Sequence, residues 1–147
     1  MNTCTFGEHL TIDGYGGDFE LLNDRQQVLH CLRELPQLLG MHVLLPAAVK
    51  WAEPNDYKDP GGWSGYVLIA ESHISIHTFP HRRFLSADVY TCREGTDTDR
   101  VVRYFRDMFA LADTETCFFK RGTKYPVDNI VPVRAEPRAI AAGQQAI

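Results

Sequence analysis

The stretch that most constrains the fold is a pair of alternating runs. In residues 73–79, His73, Ser75 and His77 alternate with Ile74, Ile76 and Thr78. In residues 84–92, Ser86, Asp88 and Tyr90 alternate with Leu85, Ala87 and Val89. A period of two belongs to a strand with one face buried. The runs are joined by Pro80-His81-Arg82-Arg83, a turn-forming segment. If Phe79 pairs with Phe84, then His77 faces Ser86, Ser75 faces Asp88 and His73 faces Tyr90. All six then share one face, and the aliphatic residues take the other. This predicts an antiparallel hairpin with one face on the core and one open. A third strand is expected over 64–70, immediately before. Its connection, Glu71-Ser72, lacks the glycine or asparagine of an ordinary tight turn. Either one strand continues through this point or the junction is strained.

The flanking sequence supplies the rest of a domain. His9 to Asp13 alternates and stops at Gly14, predicting a strand followed by the Gly16-Gly17 loop. Asn23 or Asp24 can cap a helix to about Leu39, with Val28, Leu29, Leu32, Leu35, Leu38 and Leu39 as its apolar stripe. Pro36 puts the last turn in question, and Gly40 is a stop signal. Met41 to Val49 reads as a strand interrupted by Pro46, and Glu53 to Gly62 as a polar loop. Asp97 or Thr98 opens a second helix to about Leu111, its core face Val101, Val102, Phe105, Met108 and Phe109. Glu115 to Lys120 is a final strand. The order β-α-β-β-β-β-α-β predicts an α+β domain, an antiparallel sheet with helices on one face. The 147 residues suit a single domain, 1–147, and the small, polar segment 135–147 is expected to be a flexible tail.

Charge and composition narrow the partners. A net charge of -4 argues against nucleic acid, and no apolar run has the length of a membrane span. The N-terminus has no basic segment followed by an apolar block, so a cytoplasmic location is expected. Cys4, Cys31, Cys92 and Cys117 are too scattered for a zinc site and are expected as reduced thiols, with Cys4, Cys31 and Cys117 as small packing residues. His73 and His77 could share a metal on a helix, but on a strand they lie about 13 Å apart. No metal is expected.

The spaced set Glu71-Ser72-His73, Ile76-His77-Thr78, Pro80, Asp88 and Thr91-Cys92, preceded by Ser64-Gly65, resembles the prokaryotic S-adenosylmethionine decarboxylase family. Looser similarity runs from His9-Leu10, Asp13 and Tyr15 to Arg121-Gly122. The resemblance implies a proenzyme that cuts itself between Glu71 and Ser72 into residues 1–71 and 72–147. Residue 72 then becomes a pyruvoyl group, the only cofactor, which forms a Schiff base with the substrate amine. It further implies that His77 and Ser64 assist processing and that Cys92 returns a proton to the α-carbon after decarboxylation. Two protomers are expected to pair as an αββα sandwich, a homo-oligomer acting on a small molecule in polyamine biosynthesis.

The sequence departs from that family beside Pro80. A glutamate that holds ribose hydroxyls in the family is replaced by His81, followed by Arg82-Arg83-Phe84. An imidazole accepts one hydrogen bond where a carboxylate accepts from two hydroxyls. The departures fit better the relatives of this family that decarboxylate L-ornithine or L-arginine, so the resemblance implies one of these as the substrate, its cation meeting Asp13, Asp18 or Asp59. S-adenosylmethionine is the alternative substrate, and a non-catalytic binding domain of the same fold is the rival of another class.

Overall fold

A computed structural model describes residues 1–134, and the expected tail at 135–147 lies outside the described residues. The elements in chain order are β1 (Thr3–Cys4), β2 (Gly7–Tyr15), α1 (Phe19–Leu22), α2 (Arg25–Leu38), β3 (Val43–Ala52), β4 (Gly62–Ile69), β5 (Ser72–Phe79), a 3₁₀ turn (Pro80–Arg82), β6 (Phe84–Thr91), α3 (Thr98–Phe109), β7 (Asp113–Arg121) and β8 (Tyr125–Pro126). Six strands form one antiparallel sheet in the order β3-β4-β5-β6-β2-β7, and β1 pairs separately with β8. The hairpin register is the expected one, with Phe79 opposite Phe84, His77 opposite Ser86, Ser75 opposite Asp88 and His73 opposite Tyr90.

Both long helices cover one face. α2 lies against β3, β4 and β5, and α3 against β2 and β7. Asp24 caps α2 by accepting the Gln26 N–H at 2.8 Å, and Asp97 caps α3 by accepting the Arg100 N–H at 3.0 Å. Val28, Leu29, Leu32 and Leu35 are buried on α2, whereas Leu38 has rotated off the core and is exposed. Pro36 does not break the last turn; its ring is buried, and the Leu39 N–H reaches the Leu35 carbonyl at 3.0 Å. On α3, Val101, Phe105 and Phe109 are buried, while Val102 and Met108 pack at the margin. Each fully buried phenylalanine stabilises the fold by roughly 1.5–3 kcal/mol.

Several expectations are corrected. β3 runs from Val43 to Ala52, later than Met41–Val49, and its pairing with β4 shifts on either side of Leu45. Pro46, which has no N–H for the ladder, sits in that irregular part. The short α1 and the β1–β8 pair were not anticipated, being too brief to show a period. Of the cysteines expected to pack, only Cys31 is buried; Cys4 and Cys117 are exposed. Cys117 pairs with Thr11 on the edge strand β7, where no further strand covers it.

Glu8 is a buried acid at the end of β2. Its carboxylate accepts the N–H groups of Gly95 at 3.0 Å and Thr96 at 3.1 Å, fixing the loop that leads into α3. Burial pushes its pKa up, but these backbone hydrogen bonds, the Thr96 side chain and Lys120 together hold it below the ordinary glutamate value. A carboxyl with a depressed folded pKa contributes stability above its unfolded value, and that contribution fades as pH falls through the folded one. Glu8→Gln should therefore lower stability at neutral pH by about 1–3 kcal/mol. The deficit relative to wild type should shrink as the solution is acidified below the ordinary glutamate range, measured by urea denaturation.

Candidate active site

The sheet face away from the helices carries the chemistry. Cross-strand pairing lines its residues up in rows. One row crosses Leu68, His73, Tyr90, His9 and Phe119; the next crosses Tyr66, Ser75, Asp88, Thr11 and Cys117. A third crosses Lys50, Ser64, His77, Ser86, Asp13 and Glu115. In that third row Ser64 Oγ lies 2.7 Å from His77 Nδ1, joining two of the expected site residues. Ser64, Tyr66, Ser75, His77 and Lys50 line an open hollow of about 570 Å³.

The β4–β5 junction resolves as a two-residue hairpin turn, with Ile69 opposite Ser72. Ala70 and Glu71 span it, and Glu71 has φ of 54°. That is left-handed backbone, costing a residue with a side chain roughly 1–2 kcal/mol. The strained residue therefore supplies the carbonyl of the Glu71–Ser72 bond. Ser72 points to the helix side and is 5% exposed. Its Oγ accepts the Cys92 N–H at 3.1 Å, and Cys92 Sγ lies 3.8 Å from the Ala70 carbonyl oxygen. Ser72, Glu71 and Cys92 thus meet at one end of the sheet.

His77 does not join them within the chain. Five residues along β5 correspond to about 16 Å and to opposite faces of the strand. The three candidate acids also separate. Asp18 caps α1 by accepting the Leu21 N–H at 3.0 Å, and Asp59 accepts the Gly61 N–H at 2.8 Å within its loop. Asp13 alone lies on the open face, between Ser86 and Glu115. His81 is exposed, its ring centroid 5.1 Å from that of Phe19. Arg82 borders a second hollow of about 520 Å³ with Phe79, Phe84, Tyr57 and Asp59.

A network not foreseen from sequence occupies the first two rows. Asp88 accepts hydrogen bonds from His9 Nε2 at 2.5 Å, from His73 Nε2 at 3.2 Å and from the Ser75 hydroxyl. Arg121 donates to His9 Nδ1 at 2.9 Å and lies over the Tyr90 ring at 4.9 Å. A guanidinium only donates, so Nδ1 accepts and Nε2 carries the proton given to Asp88. Burial pushes the Asp88 pKa up, but the hydrogen bonds from Ser75 and His9 and the nearby His73 outweigh it and leave it below the ordinary aspartate value. The ligating atoms of His9, His73 and Asp88 lie within 4.8 Å of one another, a spacing a metal could use. Here the hydrogen bonds already engage them. The sequence signal for Ser75–Asp88 was the hairpin register; His9 carried none, because alternation does not say which strand lies beside β6.

A residue in left-handed backbone thus precedes a buried serine, with Cys92 at the same end of the sheet. Residues 8–122 match the protein family described as S-adenosylmethionine decarboxylase. The chain is 36% identical over 104 residues to S-adenosylmethionine decarboxylase proenzyme 2 of Bacillus cereus, covering 71% of this chain and 79% of that protein. It is 30% identical over 116 residues to an S-adenosylmethionine decarboxylase proenzyme of Clostridium botulinum, covering 79% and 94%. The crystal structure of the adenosylmethionine decarboxylase from Aquifex aeolicus superposes with a TM-score of 0.67 at 25% identity, over 86% of this chain and 98% of that one. The chain belongs to the S-adenosylmethionine decarboxylase family.

Backbone strain at Glu71 can be measured in a Ser72→Ala background, which lacks the neighbouring hydroxyl. Adding Glu71→Gly should leave thermal stability equal or higher, since glycine adopts positive φ freely. Adding Glu71→Val should lower it by about 1 kcal/mol or more, because a β-branched residue resists that conformation.

Proposed function

We propose that the chain cuts itself between Glu71 and Ser72 and then decarboxylates a basic amino acid, L-ornithine or L-arginine, with residue 72 as the reactive centre. The observation that carries the self-cleavage reading is the left-handed Glu71 immediately before the buried Ser72 in a two-residue turn. The Ser72 hydroxyl attacks the Glu71 carbonyl carbon. The amide becomes an ester, and the displaced nitrogen takes up the proton given by the hydroxyl and becomes a free amine. Loss of the Ser72 α-proton then expels the Glu71 carboxylate, and hydrolysis releases ammonia to leave the pyruvoyl group. Ser72 suits this conversion, since its oxygen is held by the Cys92 N–H while the Cys92 thiol lies against the Ala70 carbonyl of the same turn. Once formed, the pyruvoyl group supplies an electron sink for decarboxylation. Cys92 Sγ is the proton source for the substrate α-carbon. His77, paired with Ser64, is the acid-base group for processing.

Because His77 and Ser72 are apart in one chain, we assign His77 and Ser64 to the site of a second copy. The open face, with Tyr66, Leu68 and Phe119 exposed on it, is the surface that a second copy would cover. The substrate preference is supported by His81 standing where the family holds ribose, and by Asp13 being free of any backbone cap beside Glu115. S-adenosylmethionine is the second reading, favoured by the names of the relatives. Free cysteines, two of them exposed, suit the reducing cytoplasm.

Wild type should run on a denaturing gel as pieces 1–71 and 72–147, the second with a blocked N-terminus, and Ser72→Ala as one intact chain. An uncut, fully active wild type would sink the mechanism, and an uncut, inactive one would favour a binding domain. Carbon dioxide release from ornithine, arginine and S-adenosylmethionine, each supplied alone, decides the substrate. Turnover of S-adenosylmethionine alone would overturn the preference and leave the mechanism standing. Cys92→Ala should still be cut but turn over poorly, by about a hundredfold if it loses its general acid.

The assembly has its own test. His77→Ala alone should cut slowly. Co-expressed with Ser72→Ala it should be cut again, because the mixed dimer reunites Ser72 with a partner's His77. No rescue by co-expression, with mixed dimers confirmed by tagged pull-down, would place both residues in one protomer's site.

A further inference from the structure

We propose that Asp88 is a positioning residue that holds the chain end created by cleavage. The proposal rests on the cleavage reading. Before the cut, residue 72 is fixed in three ways: by the peptide bond to Glu71, by its place opposite Ile69, and by the hydrogen bond from the Cys92 N–H to its Oγ. Conversion removes the peptide bond to Glu71. It also removes the Oγ, which leaves with the Glu71 carboxylate, and the residue 72 nitrogen, which leaves as ammonia. Residue 72 is then joined covalently only through His73, and of its other anchors only the place opposite Ile69 is left.

His73 is the first residue that keeps its full complement of anchors. Its backbone pairs with Leu68 on one side and Tyr90 on the other. Its imidazole reaches Asp88 at 3.2 Å, and Ser75, two residues on, donates to the other Asp88 oxygen. Asp88 sits on the neighbouring β6, which stays within the same piece after cleavage. The anchor on the far side is fixed as well: His9 is locked to Asp88 by its Nε2–H, and Arg121 locks His9 through Nδ1. The carboxylate thus ties the first strand of the cut piece, through β6, to β2 and β7, and bears on residue 72 through a single intervening residue. Displacing a reacting atom by about 1 Å costs up to a hundredfold in rate.

The test uses the full-length chain carrying Asp88→Asn, with His73→Phe as a second variant that removes only the hydrogen bond to the chain end and leaves His9–Asp88 in place. Three readouts are compared with wild type: the fraction cut on a denaturing gel, carbon dioxide release from ornithine, arginine and S-adenosylmethionine supplied separately, and hydrogen exchange of the peptide beginning at residue 72. Both variants should be cut to within about twofold of wild type yet turn over about tenfold or more slowly, through kcat. Amides at the start of β5 should exchange faster in the cut variants, while those of β2 in His73→Phe should not change. Cut variants with wild-type turnover and exchange would overturn the proposal. So would a folded variant that stays uncut, since Asp88 would then belong to processing. If Asp88→Asn does not fold, His73→Phe decides alone. A wild type that is itself uncut overturns the cleavage reading, and this proposal with it, before either variant is made.

Discussion

Everything in this molecule that bears on chemistry depends on the register of the β4–β5–β6 meander. Two short connections set it: Ala70-Glu71 before β5 and the Pro80–Arg83 turn after it. Side chains alternate with a period of two, so a slip by one residue would send His73, Ser75 and His77 into the core and Ile74 and Ile76 to the open face. The buried aliphatic residues beneath α2 and α3 oppose that slip. With the register held, Ser64 meets His77, Ser75 meets Asp88, and Ser72 meets Cys92 without further adjustment.

The same register divides the site between two distant places. Ser72 and Cys92 belong to the hairpin end of the sheet, and Ser64, His77 and Asp13 to a row about five residues away along each strand. The odd spacing between Ser72 and His77 already says that they face opposite ways. Within one sheet the two do not meet, which is the ground for proposing that a second copy supplies the His77 row.

The hairpin was legible because both of its faces obeyed one period and its turn was marked by proline. The helices were legible from their stripes and from Asp24 and Asp97 as caps. What escaped was either short or non-local. Four residues of α1 and two each of β1 and β8 leave no pattern to read. The exposure of Cys117 depends on β7 being an edge strand, which is topology and not composition. His9 looked like the start of an ordinary strand. Its contacts with Asp88 and Arg121 exist because β2 inserts between β6 and β7, bringing together residues 79 and 112 positions apart in the chain. The resemblance supplied Ser72, His77 and Cys92 as a set. The missing turn residues before Ser72 left a continuous strand and a strained junction both open, and only the structure shows a two-residue turn with Glu71 at positive φ.

The two-residue turn at Ala70-Glu71 has a consequence for the history of the molecule. It is the covalent link that dictates how β4 and β5 align, and the Glu71–Ser72 bond at its end is the one proposed to be cut. An intact chain carries the instruction for its own alignment, whereas the mature pair of fragments retains only the result. Once unfolded and separated, the two pieces would have to find each other by collision and choose a register with no turn to impose it. The mature protein would then be a trapped assembly, persistent because it is slow to come apart, and its unfolding would leave a record that cooling does not erase.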